Sequence, residues 1–143
     1  MIIVTIADIL SEKAYDCELP DHCIYRVRDG DLVLYVGKTK VGITERILGH
    51  MGQGPSTWLT SQLGSVILDN LPESRAWQVD MLTLDDCWEL TKKHVPYFDI
   101  DDAEQALIWE NGPCLNYINN TVNPNKKKLP DKYYDKHRIV NRE

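Results

Sequence analysis

Seven side chains between residues 25 and 116 can together move protons, hold an anion and bind a metal ion. They are Tyr25, Tyr35, Lys38, Arg46, His50, Glu104 and Asn116. Phenol, imidazole and amine groups exchange protons, a guanidinium grips anionic oxygens through its planar fork, and a carboxylate is a ligand for hard cations. Such groups act together only where the fold brings them to one place.

The two tyrosines lie on two predicted strands within the stretch 23–40, CIYRVRDGDLVLYVGKTK. Residues 23–28 and 32–37 are rich in β-branched and aromatic side chains, and the Asp29-Gly30 pair between them is a hairpin signal. A strict two-residue turn at this pair puts the tyrosines on opposite faces, because side chains alternate along a strand. A shared site therefore requires a three-residue loop or a β-bulge, so that Tyr25 opposes Tyr35.

Arg46 and His50 fall on a predicted helix. In the stretch 42–52, GITERILGHMG, Ile43, Ile47 and Met51 recur at helical spacing. Residues four apart are neighbours on one face of a helix, so the arginine and the histidine lie side by side.

Glu104 and Asn116 belong to a further predicted helix and to the turn beyond it. The stretch 100–116, IDDAEQALIWENGPCLN, is typical of a helix with Asp101 as N-cap, Ile100 as the preceding hydrophobic staple and Gly112-Pro113 as the stop. Between the two helices, residues 59–71 form an amphipathic helix ended by Pro72, and residues 75–84 alternate as a third strand. The opening residues 1–6 indicate a short strand, with a helical turn over residues 7–13.

The length and the net charge of the chain limit the classes of protein to which it can belong. The chain has 143 residues, 43% of them hydrophobic, which suits one domain. It shows no spanning apolar run and no basic-led signal segment, which favours a soluble, intracellular and cytoplasmic protein. The net charge of −6 argues against indiscriminate nucleic-acid binding, although residues beyond Thr121 are mainly basic.

The four cysteines carry no Cys-x-x-Cys pair, so we expect reduced and mostly buried thiols. A zinc site assembled from Cys17, His22, Cys23 and a distant Cys87 or His94 is the alternative, without the closely spaced ligand pairs usual for structural zinc.

Several of these residues together resemble the signature of the GIY-YIG nuclease family. Ile24-Tyr25, then Tyr35 to Gly37, Arg46, His50, Glu104 and the run PCLN ending at Asn116 occur in the family's order and at plausible separations. The resemblance covers residues 23 to about 120. The first glycine of the family pattern is Cys23 here.

The resemblance implies an α/β (α+β) fold with a small three-stranded, mainly antiparallel sheet flanked by helices. Residues 1–22 are then an N-terminal extension, residues 23–120 the nuclease domain, and residues 121–143 a basic, loosely attached tail. It also implies an endonuclease that hydrolyses DNA phosphodiester bonds with one Mg²⁺ or Mn²⁺ per site, leaving 5′-phosphate and 3′-hydroxyl ends.

The roles implied for the individual residues agree with what phosphodiester hydrolysis needs. Glu104 holds the metal ion, Arg46 grips the scissile phosphate, and one tyrosine, helped by Lys38 or His50, deprotonates or orients the water. An unperturbed phenol has a pKa near 10, so it needs either a metal-bound water or cationic neighbours that lower its pKa to act as a base near neutral pH, and the lysine, arginine and histidine can supply such neighbours.

We also expect six basic side chains outside this site to contact DNA, although the sequence supports these contacts less strongly than the site itself. These are Arg26, Arg28, Lys40, Lys126, Lys127 and Lys128. No DNA-binding motif is recognisable in the sequence. We therefore expect a homo-oligomer or a separate protein partner to supply the specificity for a DNA target.

Each site residue also has a purely structural explanation. Glu104 follows Asp101 at capping-box spacing, tyrosines are common on strands, and Arg46 has acids such as Glu45 or Asp102 within reach. In the same interpretation Lys38 is solvated, His50 is a surface histidine and Asn116 is a turn residue after a helix. The alternatives for the whole chain are a catalytically inert GIY-YIG-like module for DNA binding or regulation, and a structural protein.

Overall fold

The computed structural model describes residues 1–53, 60–91, 99–117 and 120–134. Leu59, His94 and residues 135–143, which entered the sequence predictions, lie outside the described residues. The strands are β1 (Ile2–Thr5), β2 (Ile24–Asp29), β3 (Leu32–Lys38) and β4 (Gln78–Leu82). The α-helices are α1 (Ile6–Leu10), α2 (Ile43–His50), α3 (Gln62–Asp69), α4 (Leu84–Thr91) and α5 (Ile100–Asn111), with 3₁₀ helices at Lys13–Cys17 and Glu73–Ala76. In the described ranges no helix has the length and apolar character needed to cross a membrane.

The strands form one antiparallel sheet in the order β1-β4-β2-β3, and the class is α+β. The predicted hairpin of β2 and β3 and the predicted strand at β4 are confirmed. The prediction of three strands is wrong, because β1 joins the sheet beside β4, from Ile2 opposite Met81 to Thr5 opposite Gln78. Residues 1–22, predicted as an extension, thus contribute an edge strand and a core helix. A four-residue strand carries no local sign of the strand with which it pairs.

A β-bulge in the hairpin sets the faces of the two tyrosines. The turn residues are Gly30, with φ of +59°, and Asp31, so the predicted turn at 29–30 is displaced by one residue. Beyond the turn the register shifts at Leu34, and Val27 then faces Tyr35 while Tyr25 faces Gly37. The predicted bulge is confirmed, and it keeps both tyrosines on one face. The expected direct opposition of the two tyrosines is wrong, because they sit two residues apart along the ladder.

Helices cover both faces of the sheet. One hydrophobic cluster joins Val27 and Met81 of the sheet to α1, α2 and α3, with Ile47 at its centre. A second cluster joins Ile24 to α4 and α5 through Leu107. Side chains alternate along a strand, so neighbouring residues on β2 face different helices.

The helix boundaries agree with the sequence in part. The α2 prediction is confirmed, and α5 ends at Gly112, which adopts a φ of +54° as its C-cap. The N-cap of α5 is Asp99, whose Oδ1 accepts a hydrogen bond of 2.8 Å from the Asp102 amide. The prediction of Asp101 as N-cap is wrong by two residues, because any of the nearby aspartates can cap and only packing decides among them. Helix α4 has no counterpart among the sequence predictions.

The tail is packed on the body as far as it is described. Leu129 and Tyr133 are 3% and 6% exposed and belong to the core cluster of α1, α2 and α3. The Tyr133 hydroxyl donates to Asp29 Oδ2 at 2.5 Å, and its ring packs edge-on against Trp77 with centroids 5.6 Å apart. The expectation of a loosely attached tail is therefore wrong for residues 121–134, because two apolar anchors interrupt its polar sequence.

Candidate active site

Two phenol rings lie together on the α2 face of the hairpin. The ring centroids of Tyr25 and Tyr35 are 6.0 Å apart and the rings are stacked at 29°. Tyr25 is 1% exposed, whereas Tyr35 is only partly buried. Solvent therefore reaches the pair from the Tyr35 side.

Gly37 makes this arrangement of rings possible. It faces Tyr25 across the ladder, and a Cβ atom built at Gly37 would lie 2.4 Å from the Cζ and hydroxyl of Tyr25 and 2.9 Å from Cε2 of Tyr35. Both distances are far below van der Waals contact. The glycine at this position is required by the two rings that cover it.

His50 connects the buried tyrosine to α3. Its Nε2 is 2.9 Å from the Tyr25 hydroxyl, and its Nδ1 is 2.6 Å from Ser61 Oγ. Ser61 is the N-cap of α3, and its hydroxyl also accepts a hydrogen bond of 3.1 Å from the Gly64 amide. The three side chains form a hydrogen-bonded chain, Tyr25 to His50 to Ser61, in which the tautomer of His50 sets the direction of donation.

Burial governs the protonation of this chain. Burial, with a smaller contribution from the Arg46 charge, lowers the pKa of His50 to about 4, so the ring is neutral near pH 7. Burial also raises the pKa of Tyr25 and of Tyr35 above the usual value, more than the Arg46 charge lowers it. The expectation that cationic neighbours lower the phenol pKa is therefore wrong in its net sign.

Arg46 brings a positive charge to the tyrosines from the exposed side of α2. Its positive charge acts electrostatically on both phenols and opposes the rise in their pKa. In the described part of the chain it has no ion pair, so the alternative in which Arg46 pairs with Glu45 or Asp102 is not observed. The guanidinium is thus available to an anion from solution.

Glu104 and Lys38 approach the tyrosines from the α5 side, at the end of β3. Lys38 forms an ion pair with Asp101, and its Nζ is 4.0 Å from Glu104 Oε1. Burial raises the pKa of Glu104, Lys38 opposes that shift, and the Glu104 charge in turn raises the pKa of both tyrosines. Because α5 begins at Ile100, Glu104 is beyond the capping-box position, and the capping explanation for this residue is wrong.

The fit of a metal ion can be tested on Glu104. Its side chain is 18% exposed and no hydrogen bond to its carboxylate is found among the described residues. A half-buried carboxylate with free lone pairs suits Mg²⁺ or Mn²⁺, which keep several waters and need few protein ligands. Over the same described ranges, no three His, Cys, Asp or Glu side chains form a metal-binding cluster. The four cysteines are free thiols, but only Cys87 is buried, so the expectation of buried thiols is wrong for Cys17, Cys23 and Cys114.

The buried Asn116 lies beside the site and is hydrogen-bonded to the backbone of β3. Its Oδ1 accepts from the Val36 amide at 2.9 Å, and its Nδ2 donates to the Val36 carbonyl at 2.8 Å. The preceding Cys114 and Leu115 amides donate to the carbonyls of Val33 and Leu34. Asn116 therefore holds the edge of β3 between Tyr35 and Gly37 and so helps to position both residues.

Two of the predicted DNA contacts are on the opposite face of the sheet. Arg26 Nε and Arg28 Nε each lie 2.7 Å from Oδ2 of Asp80, which is 0% exposed. These arginines neutralise a buried carboxylate beneath α5 and point away from the face that carries the tyrosines. Lys40, Lys126, Lys127 and Lys128 are exposed.

Ser61 is the member of the constellation that sequence analysis missed. The signal was present, since a serine directly before an amphipathic helix is a common N-cap. The sequence offered no sign that the same hydroxyl would also face His50, eleven positions earlier in the chain.

Comparison of the chain with protein-family models, with curated proteins and with solved structures found no match. Its own side chains bring two phenols, an imidazole, a guanidinium, an amine and a half-buried carboxylate to one end of the hairpin. Groups that can bond to water and positive charges that can attract an anion are thereby placed near one another.

Proposed function

We propose that this chain is a metal-dependent endonuclease that hydrolyses phosphodiester bonds in DNA by a mechanism of the GIY-YIG type. The observation that carries the proposal is the hydrogen-bonded chain Tyr25–His50–Ser61, which lies against Arg46 and faces Glu104 across the end of β3. The preference for DNA over RNA rests on the family resemblance, since no group here is aimed at a 2′-hydroxyl.

The proton of the attacking water needs an acceptor at neutral pH. A free phenolate is disfavoured because the pKa of both tyrosines is raised, and burial with the Arg46 charge also disfavours the imidazolium of His50, so in the resting site the tyrosines are protonated and the histidine is neutral. Tyr35 is the more exposed phenol and meets the water. The neutral His50 can accept the hydrogen bond of the Tyr25 hydroxyl at Nε2 and so fixes that phenol beside Tyr35, and a metal ion held at Glu104 would supply the lowered water pKa that lets the proton leave to solvent.

The negative charge that develops on the phosphate needs fixed positive partners. Arg46 supplies a planar guanidinium, and Lys38 supplies an ammonium at the end of β3. Lys38 also holds Asp101, so its position is set by α5. Groups fixed before the reaction begins stabilise the transition state without reorganising.

Glu104 is the residue that would hold a Mg²⁺ or Mn²⁺ ion, which in this class of chemistry supplies Lewis-acid stabilisation of phosphate oxygens. The chain contributes the hard oxygen donor, its half-burial, and the adjacent Arg46 and Lys38 charges. One observation favours the catalytically inert alternative. Glu104 is a single carboxylate, and the Lys38 ammonium already lies 4.0 Å from it.

Cleavage of supercoiled plasmid and of a branched oligonucleotide with Mg²⁺, Mn²⁺ or EDTA tests the proposal. We expect metal-dependent nicking that Glu104→Gln and Arg46→Gln each reduce by about 100-fold or more, the usual cost of removing one group that stabilises the transition state. The matched controls are Glu110→Gln, exposed on the same helix, and Arg75→Gln, exposed on a 3₁₀ helix. Both controls should retain full activity.

Two outcomes would count against hydrolysis at this site. Equal activity in the Glu104 variant and its Glu110 control would place any cleavage elsewhere. Absence of cleavage with every substrate and metal, together with DNA binding that ignores Glu104→Gln, would establish the inert binding or regulatory module instead.

A further inference from the structure

A basic pocket lies between the tail and the N-terminal end of α3. It has a volume of about 240 Å³, and its lining includes Gln62, Cys114, Tyr117 and the three consecutive lysines Lys126, Lys127 and Lys128. No aspartate or glutamate lines it in the part of the chain that the structure describes. A patch of this sign is unusual on a chain whose net charge is −6.

The three lysines are not equivalent. The Lys127 ammonium donates to the Asn111 carbonyl at 3.0 Å, and the Lys127 amide donates to the Gly112 carbonyl, so this residue secures the end of α5. Lys126 lies 5.3 Å from the centroid of the Tyr117 ring. Lys126 and Lys128 form no ion pair with any described residue, and both are exposed. The pocket thus presents two ammonium groups that a ligand can neutralise.

Tyr117 gives the pocket an aromatic surface. The residue is 65% exposed although it follows the buried Asn116. An exposed ring beside ammonium groups is the arrangement on which proteins stack unpaired bases while they contact the neighbouring phosphates. A paired base inside a duplex cannot stack in this way.

The pocket adjoins the candidate active site along the chain and in space. Gln62 directly follows Ser61, whose hydroxyl contacts His50. Cys114 lines the pocket and also donates its amide to the Val33 carbonyl of β3, the strand that carries Tyr35. A polynucleotide held at one of these places therefore passes close to the other.

We propose that the pocket formed by Tyr117, Lys126 and Lys128 binds an unpaired nucleotide of the nucleic-acid substrate, with the base against Tyr117 and phosphates at the two lysines. The volume is below the roughly 300–1,000 Å³ of sites that enclose a whole small ligand, which suits one segment of a longer chain. The proposal rests on the proposed nuclease function. It implies a nucleic-acid substrate that contains single-stranded, flapped or branched regions. Nucleotide binding can nevertheless be measured without cleavage.

Fluorescence anisotropy of a labelled 12-residue oligothymidylate, in EDTA and over a series of salt concentrations, tests the pocket. Tyr117→Leu should weaken binding by about fivefold or more, the lower range for a stacked base. The double variant Lys126→Gln/Lys128→Gln should weaken it as well and reduce the salt slope by about 0.7 for each phosphate that it no longer neutralises. The matched control, Lys13→Gln/Arg75→Gln, removes two exposed charges elsewhere and should bind within about twofold of the natural chain. All five positions are exposed, so thermal unfolding should confirm that the variants fold.

The outcomes separate this proposal from the nuclease function. Oligothymidylate binding that depends on Tyr117, by a protein that cleaves nothing, supports the pocket and removes the nuclease function. Cleavage by the natural chain, with pocket variants that bind oligothymidylate as the control does, overturns the pocket and leaves the nuclease function. Binding of a 20-base-pair duplex as tight as that of oligothymidylate, with no effect of Tyr117→Leu, also overturns it.

Discussion

His50 shows how a single residue acquires its chemistry from several elements. It is 5% exposed, and its two ring nitrogens contact Tyr25 from β2 and Ser61 at the start of α3. Burial and the Arg46 charge both disfavour the imidazolium. The ring is thereby kept neutral, the form whose Nε2 can accept the hydrogen bond of the Tyr25 hydroxyl, while both phenols are kept protonated.

The depressed pKa of His50 predicts a specific loss of stability in acid. The folded-state pKa of about 4 lies below the unfolded value of 6.5, so the unfolded chain takes up the proton first as the pH falls. This contribution is complete above pH 6.5 and is lost progressively toward pH 4. Between pH 7 and pH 5 we expect the loss of about 2 kcal/mol in the free energy of unfolding.

Urea unfolding of the natural chain and of His50→Gln at both pH values measures this loss. Glutamine does not titrate, so between pH 7 and pH 5 the variant should lose about 2 kcal/mol less of its free energy of unfolding than the natural chain. Parallel pH dependences would show that the His50 pKa is not depressed.

At the scale of the element, β3 is the strand that assembles the site. Its bulge at Leu34 turns Tyr35 to the face of Tyr25, its Gly37 makes room for both rings, and Lys38 follows at its end. The outer edge of the strand is held by the Asn116 side chain through both polar atoms of the Val36 backbone. The site therefore depends on the register of one strand more than on any single hydrogen bond.

Gly37→Ala should disturb the tyrosine pair. The new Cβ meets the buried Tyr25 ring, which has no space to move into, so we expect a loss of about 1–3 kcal/mol in stability and a changed near-ultraviolet circular dichroism of the tyrosines. The matched control is Gly30→Ala, at the hairpin turn, where a Cβ has nothing within 4 Å. The positive φ of Gly30 makes that change cost about 1 kcal/mol, but the tyrosine spectrum should stay unchanged. A normal tyrosine spectrum in Gly37→Ala would contradict the packing described.

At the scale of the whole molecule, both ends of the described chain are built into one body. Residues of β1 and α1 complete the sheet and its core, and Leu129 and Tyr133 close the same core from the tail. On the other face, Arg26 and Arg28 form ion pairs with Asp80, which is 0% exposed. Breaking such a buried ion pair by removing one partner commonly costs about 3–5 kcal/mol, so these charges serve the fold.

Two alanine variants in the tail measure its attachment. Leu129→Ala removes a side chain that is 3% exposed and should lower the free energy of unfolding by about 2–5 kcal/mol. Val122→Ala, in the same segment but 83% exposed, should stay within about 0.5 kcal/mol of the natural chain. If both variants were neutral in urea unfolding, the tail would be loosely attached after all.

The elements with strong local signals could be predicted from the sequence. The alternation of β2, β3 and β4, the helical spacing of Ile43 and Ile47, and the stop at Gly112 all depend on residues within one turn or one strand of each other. The bulge was predictable too, but only from the assumption that Tyr25 and Tyr35 share a face. The candidate site residues were likewise identified by type and order, before any distance between them was known.

Other features were decided by the tertiary structure alone. These are the partner of β1, the start of α5 at Asp99, the contact of Ser61 with His50, the use of Asn116 on β3, and the engagement of Arg26 and Arg28 by Asp80. In each case several local choices are nearly equal in energy, and contacts between residues distant in the chain select one of them. The raised pKa of the two tyrosines also comes from the tertiary structure, because burial is a property of the packed molecule. The sequence by itself determined only the types and the order of the site residues.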